Sequence, residues 1–209
     1  MGQAQHWERI YAEKQPEEVS WYEQAPETSL TLIEEAAIRR SAAIVDVGGG
    51  TSRLAGRLIA AGYADVTVAD ISRAALERAR VELAAAAERV TLIHADVRSH
   101  DFGRRFDLWH DRAVFHFMVD AASRNGYLTV LRRTLRAGGH LVLAGFGPGG
   151  PTHCSGLRVA RYGPNELSST LGSDFNLISS RTEEHRTPTG HIQEFVFTHF
   201  RRIPRQDPR

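Results

Sequence analysis

Three glycines and three acids, each standing where an apolar run ends, are the residues whose types and spacing can do chemistry in this chain. Gly48, Gly49 and Gly50 directly follow Ile44-Val45-Asp46-Val47. Lacking side chains, they let a ligand approach the backbone N–H groups that open the next helix. Asp70 closes a second run, Val66-Thr67-Val68-Ala69, and stands 20 residues after Gly50. A carboxylate there can accept hydrogen bonds from both hydroxyls of an adenosine ribose. The glycine turn says little by itself; with Asp70 it points to a bound nucleoside. The competing reading keeps the glycines as a tight turn and Asp70 as a cap for the helix starting near Ser72. Asp96, after Val90-Thr91-Leu92-Ile93-His94, either meets an adenine amino group or stands as a solvated loop acid.

A fourth run, Phe106 to His110, leads into Asp111-Arg112-Ala113-Val114-Phe115-His116-Phe117. Imidazole titrates near neutral pH, so His116 is a candidate general base, with Asp111 and Arg112 as candidates for orienting a reacting partner. Alternatively, His116 packs beside Phe115 and Phe117 as core.

These positions are strand ends if the runs are strands. Between them lie helical stripes: Leu54, Ala55, Leu58 and Ile59, stopped by Gly62; Leu76, Ala79 and Leu83, capped by Ser72; Tyr127, Val130, Leu131 and Leu135, ended by Gly138-Gly139 before a strand from His140 to Phe146. An earlier helix is expected after Pro26, with Thr28 and Ser29 as caps and Leu30, Ile33, Ala37 and Ile38 on one face. Such alternation predicts an α/β fold with a doubly wound, mostly parallel seven-stranded sheet and helices on both faces. Past Gly150 a short helix from Gly163 to Leu171 precedes two successive strands, Phe175–His185 and Gln193–Phe200, expected to pair as an antiparallel hairpin at one edge. The expected division is a cap or lid segment over residues 1–27, one domain over 28–203 and a tail over 204–209.

Asp46-Val47-Gly48-Gly49-Gly50-Thr51 resembles the first motif of class I S-adenosylmethionine-dependent methyltransferases. Asp70 and Asp96 match the family's later acids, and Leu135-Arg136-Ala137-Gly138-Gly139-His140-Leu141 is similar to its glycine pair before the fifth strand. The likeness covers roughly residues 28 to 200. It implies that Asp46 and the turn Gly48, Gly49 and Gly50 hold the methionine part of S-adenosylmethionine. Asp70 with Ile71 then takes the ribose, and Asp96 with Val97 takes adenine. Ser52 stands where the family often has a third glycine. Residues around Asp111, Arg112 and His116 fall where the family places its reacting centre. Val19-Ser20-Trp21-Tyr22 is similar to an element ahead of the domain in bacterial relatives. With His6 to Tyr11 and with His153 to Leu157, it is expected either to close the pocket or to cover the sheet edge.

The 209 residues carry 26 basic and 25 acidic side chains, so no global field favours nucleic acid or an anionic membrane. No apolar run reaches the ~18 residues that span a bilayer. Cys154 is the only cysteine, which fits a reducing cytoplasm and leaves the thiol as core filler or as a reactive group. Lys14 is the only lysine, a bias that suggests a GC-rich bacterial genome. Ten histidines show no local zinc-site spacing, so no metal is expected. The expectation is therefore an enzyme using S-adenosylmethionine on a small-molecule acceptor. A protein-lysine methyltransferase, a nicotinamide-dependent oxidoreductase and a non-catalytic nucleoside-binding protein are the alternatives. The oxidoreductase fingerprint wants glycine where Arg53 stands.

Overall fold

From residue 27 to the strand Val90–His94, strands and helices alternate, whereas the next strand, Phe106–Arg112, follows without a helix between them, in a computed structural model that describes residues 2–204. The order is α1 (Gln3–Glu13), α2 (Glu27–Glu35), β1 (Ala43–Val47), α3 (Leu54–Ala60), β2 (Asp65–Asp70), α4 (Arg73–Leu83), β3 (Val90–His94), β4 (Phe106–Arg112), α5 (Ala121–Thr134), β5 (Leu135–Phe146), β6 (His153–Cys154), β7 (Leu157–Arg158), α6 (Pro164–Leu171), β8 (Phe175–Arg186) and β9 (Ile192–Arg202). Except for Pro204, the tail expected over 204–209 lies outside the described residues.

Seven strands form one sheet in the order β3-β2-β1-β4-β5-β9-β8. The first five are mutually parallel, β9 runs antiparallel to β5, and β8 antiparallel to β9. β1 is buried along its whole length, as a central strand covered on both faces must be. Ile44 and Leu108 face a core built with Leu32 and Ile33 of α2 and Leu54 and Leu58 of α3. Val45 and Trp109 face the opposite core, with Tyr127 and Leu131 of α5 and Leu167 of α6. Successive strand residues thus serve opposite layers. The strand order reverses between β1 and β4, which opens a crevice at their carboxyl ends. No helix among the described residues is long and apolar enough to cross a membrane.

Local sequence explains most boundaries. Ser72 caps α4 by accepting the Ala75 N–H at 3.1 Å, and Asp120 caps α5 by accepting the Ser123 N–H at 2.9 Å. Four expectations need correction. α2 starts at Glu27 with Pro26 at its cap, so Thr28 and Ser29 lie inside the first turn. The helix ends at Glu35, and its buried face is Leu32, Ile33 and Ala36, while Ala37 turns outward with φ +51°. α5 ends at Thr134 rather than at the glycine pair, because Leu135 already pairs with Phe106 and Gly138, at φ +72°, forms an irregularity before pairing resumes between Leu108 and His140. Residues 3–13, expected only as lid, form the helix α1. β6 and β7 were not anticipated; Ser155 and Gly156 both have positive φ, as a two-residue hairpin turn requires.

Candidate functional site

Asp46 sits one residue before the end of β1, and its side chain is 2% exposed. Oδ1 receives His110 Nδ1 of β4 at 2.7 Å, and His110 Nε2 lies 2.9 Å from Ser29 Oγ of α2. Oδ2 is buried and has no hydrogen-bond partner among the described residues. A Cβ on Gly49 would stand 2.5 Å from that oxygen, and one on Gly48 would overlap Val114 at 2.0 Å. Gly48 and Gly50 also hold positive φ. The turn is therefore glycine-built for both space and conformation. Beside it lies an inner cavity lined by Ser29, Asp46, Gly49, His110 and Glu23.

An outer cavity continues over the ends of β2 and β3, lined by Asp70, Ile71, Asp96 and Val97. The two cavities share Tyr11, Trp21, Gly48 and Arg112 as walls. Asp70 is 5% exposed and accepts the Ser72 N–H at 2.8 Å. Burial pushes its carboxyl up to about 7; the backbone N–H of Ser72 opposes the rise and the nearby Asp46 adds to it. Asp96 is different. Burial raises its carboxyl, but Arg98 more than offsets this and holds it below the usual carboxylate range, through hydrogen bonds from its backbone N–H and guanidinium at 2.5 to 3.1 Å. An adenine amino group would have to share Asp96 with that arginine.

Strand parity separates the residues of β4. Leu108, His110 and Arg112 point toward α2 and the cavities, whereas Trp109 and Asp111 point toward α5. Asp111 lines neither cavity. Its carboxylate accepts the Tyr127 hydroxyl at 2.6 Å and the Val114 and Phe115 N–H groups at 2.9 and 3.1 Å, so it braces the loop from behind. Burial raises its carboxyl to about 6. Arg112 does reach the cavities, where it pairs with Glu23 at 2.7 Å, donates to the Trp21 carbonyl at 2.9 Å and stacks over Phe195. His116 does not: it is 1% exposed, packed against Phe117 and Phe146, and both ring nitrogens lack partners. Burial drives it down to about 3, so the ring stays neutral and faces away from the two cavities. The core reading of His116 fits this geometry. Cys154 likewise joins the core, and burial pushes its thiol up to about 11.

The N-terminal segment closes over the strand ends. Trp7 of α1 packs on Trp21 at 5.6 Å and on Phe117 at 5.0 Å between ring centroids. Glu8 receives the Ser72 hydroxyl at 2.8 Å and the Ala74 N–H at 3.2 Å, fastening α1 to the start of α4. Trp7, Ile10 and Tyr11 recur at helical spacing, a signal in the sequence that α1 was a helix. His110 and Ser29 were not among the expected site residues, and only the fold brings them to Asp46. Among the described residues no cluster of potential ligands suits a metal ion.

An orphaned buried carboxylate oxygen, a glycine turn whose added Cβ atoms would fill the cradle and a second buried acid 20 residues past Gly50 suit a ligand that joins an ammonium to a nucleoside. Residues 44–139 match the sequence-family model described as a methyltransferase domain. No curated protein sequence matches the chain significantly. Among solved structures, it is similar to a protein studied for the conversion of a disulfide bond into a thioacetal group during echinomycin biosynthesis (TM-score 0.78, 22% identity, 96% of this chain and 93% of that one). A SAM-dependent methyltransferase from Anabaena variabilis gives TM-score 0.75 at 16% identity, covering 97% and 96% of the two chains. The 1,6-didemethyltoxoflavin-N1-methyltransferase of Burkholderia thailandensis, with bound 1,6-didemethyltoxoflavin and S-adenosylhomocysteine, gives 0.68 at 22% identity over 86% and 78%. Identities this low establish the fold alone; the domain match and the motif residues carry the activity. Fold and motif define a class I S-adenosylmethionine-dependent methyltransferase. Residues 44–139 carry the methyltransferase domain, and the methyl donor it uses is S-adenosylmethionine.

Proposed function

We propose that the enzyme methylates a small-molecule nucleophile held beneath α1 at the Trp7, Phe117 and Met118 end of the outer cavity, beside the adenosyl part of the cofactor. The observation that carries this reading is the roof: Trp7 and Trp21 meet edge to face over the strand ends, and Glu8 fastens the helix that bears Trp7. A compact acceptor suits a pocket roofed by this segment better than a polymer does. Residues 1–27 are the cap in this reading. The similar Burkholderia thailandensis enzyme, which holds 1,6-didemethyltoxoflavin, supports a compact acceptor. The cytoplasm, where a lone thiol persists, is the proposed compartment.

Asp46 and the glycine turn hold the methionine end in this scheme. Asp70 receives the ribose hydroxyls, and Ile71, Asp96 and Val97 border adenine. Bound S-adenosylmethionine supplies an activated methyl on a sulfonium that is already a good leaving group. The protein's share is then alignment of the acceptor and exclusion of water. Arg112, neutralised by Glu23 and fixed by Trp21, shapes the wall between the cavities.

The test uses radiolabelled methyl donor with cell extract separated into ultrafiltrate and protein fractions. Label appearing in the ultrafiltrate, and less of it with Trp7→Ala, supports the reading. Label confined to protein overturns it in favour of a protein acceptor.

A further inference from the structure

We infer that His110 is a positioning residue that selects the amino-acid end of the cofactor by fixing Asp46, an inference that rests on reading the inner cavity as the methionine site. Three buried side chains from three elements form one chain of hydrogen bonds: Ser29 of α2, His110 of β4 and Asp46 of β1. A carboxylate only accepts, so Nδ1–H of His110 donates to Oδ1. The ring is held from its other side by the Ser29 hydroxyl, itself 1% exposed. The carboxylate plane is thereby fixed. Its second oxygen is left buried and without a protein partner beside the glycine turn.

A buried, unpartnered carboxylate oxygen demands a donor, preferably a cationic one. The described residues supply none. Of the two arginines that line the same cavity, Arg112 is engaged by Glu23 at 2.7 Å and by the Trp21 carbonyl at 2.9 Å, and Arg53 pairs with Glu82 at 3.1 Å. The ligand's ammonium is left to fill the position. A freely rotating carboxylate would instead turn an oxygen toward whatever donor lies nearest. By holding Oδ1, His110 presents Oδ2 to the ligand, and the enzyme distinguishes adenosyl compounds that carry the amino-acid end from those that do not. Ser29 is the anchor that keeps the ring in plane, and its place in the first turn of α2 ties this preference to the packing of that helix.

The experiment compares affinities, by calorimetric titration, for S-adenosylhomocysteine, which carries the ammonium, and 5′-methylthioadenosine, which lacks the amino-acid end. The wild type is expected to prefer the first. His110→Phe keeps the ring's bulk and removes its donor, and is expected to weaken S-adenosylhomocysteine by roughly tenfold while leaving 5′-methylthioadenosine unchanged. His110→Asn, whose amide nitrogen can take the place of Nδ1, restores most of the preference. Ser29→Ala lowers it in the same direction by less, and carries the test if His110→Phe fails to fold. Equal weakening of both ligands would make His110 merely structural and overturn the inference, as would an undiminished preference in both His110→Phe and Ser29→Ala. Asp46→Asn separates the two layers. If it leaves the preference intact, the reading of the cavity itself fails; if it abolishes the preference while His110→Phe keeps it, only the positioning role fails.

Discussion

Replacing Asp70 by asparagine tests the ribose contact through its proton. Burial lifts the Asp70 carboxyl to about 7, so near neutral pH the ligand-free protein carries it partly protonated. Ribose hydroxyls donate, so the ionised form is the one that binds, and binding must expel the proton. With a free value near 7, about one molecule in eleven is ionised at pH 6 and about ten in eleven at pH 8, so affinity for S-adenosylhomocysteine should rise roughly tenfold over that interval, about 1.4 kcal/mol. Near pH 7 the complex should release about half a proton, read from titrations in two buffers of different ionisation enthalpy. Asp70→Asn keeps the acceptor for the Ser72 N–H and removes the charge; its affinity at pH 8 should fall by about 1 to 3 kcal/mol and should no longer climb with pH. Asp46, Glu8 and Tyr11 remain in that variant, so the asparagine protein subtracts their contributions. The stability sign is opposite. A carboxyl raised in the folded state favours the protonated native form, so the ligand-free wild type loses stability as pH climbs from the ordinary carboxylate range toward 7. Asp70→Asn should therefore raise the ligand-free Tm at pH 8 while weakening the ligand. Affinity that is flat between pH 6 and 8 in the wild type, or an unchanged slope in the variant, would refute the reasoning.

Three further outcomes are expected. Gly49→Ala puts a methyl 2.5 Å from Asp46 Oδ2 and 2.9 Å from Val68, so it should abolish measurable S-adenosylhomocysteine binding in calorimetry while circular dichroism stays native; retained affinity would contradict the close approach assigned to the turn. Asp111→Ala strands the Tyr127 hydroxyl and two backbone N–H groups, a loss of about 3 kcal/mol that should lower Tm by roughly 6 to 12 °C; an unchanged melting curve would show the brace to be idle. His116→Phe removes two unpartnered buried nitrogens, so it should leave turnover and its pH profile intact and Tm equal or higher; a drop of about a hundredfold in turnover would reinstate His116 as a base.

Why His116 and Asp111 drew notice in the sequence while His110 did not is a matter of strand parity. In Leu108-Trp109-His110-Asp111-Arg112 both faces are buried, so hydrophobic alternation, which marks the inner face of a half-exposed strand, carries no signal. What turns Asp111 toward α5 is Tyr127, 16 residues on, and what turns His110 toward the site is Ser29, 81 residues back. Neither separation has a period. By contrast, the ends of β1 and β2 were legible because a glycine turn or a helix cap such as Ser72 follows within a few residues, and local chemistry fixes where a strand stops. The aromatics of α1 lie between: Trp7, Ile10 and Tyr11 have helical spacing, yet the partners that Trp7 packs on, Trp21 and Phe117, are brought near only by the fold. The same logic explains Asp96. Its position at a strand end is written in the sequence, but Arg98, two residues away, decides how much of its carboxylate is left to accept from anything else. Position along a parallel sheet can therefore be read one element at a time, whereas the direction of a side chain that both layers compete for is settled by partners on other elements.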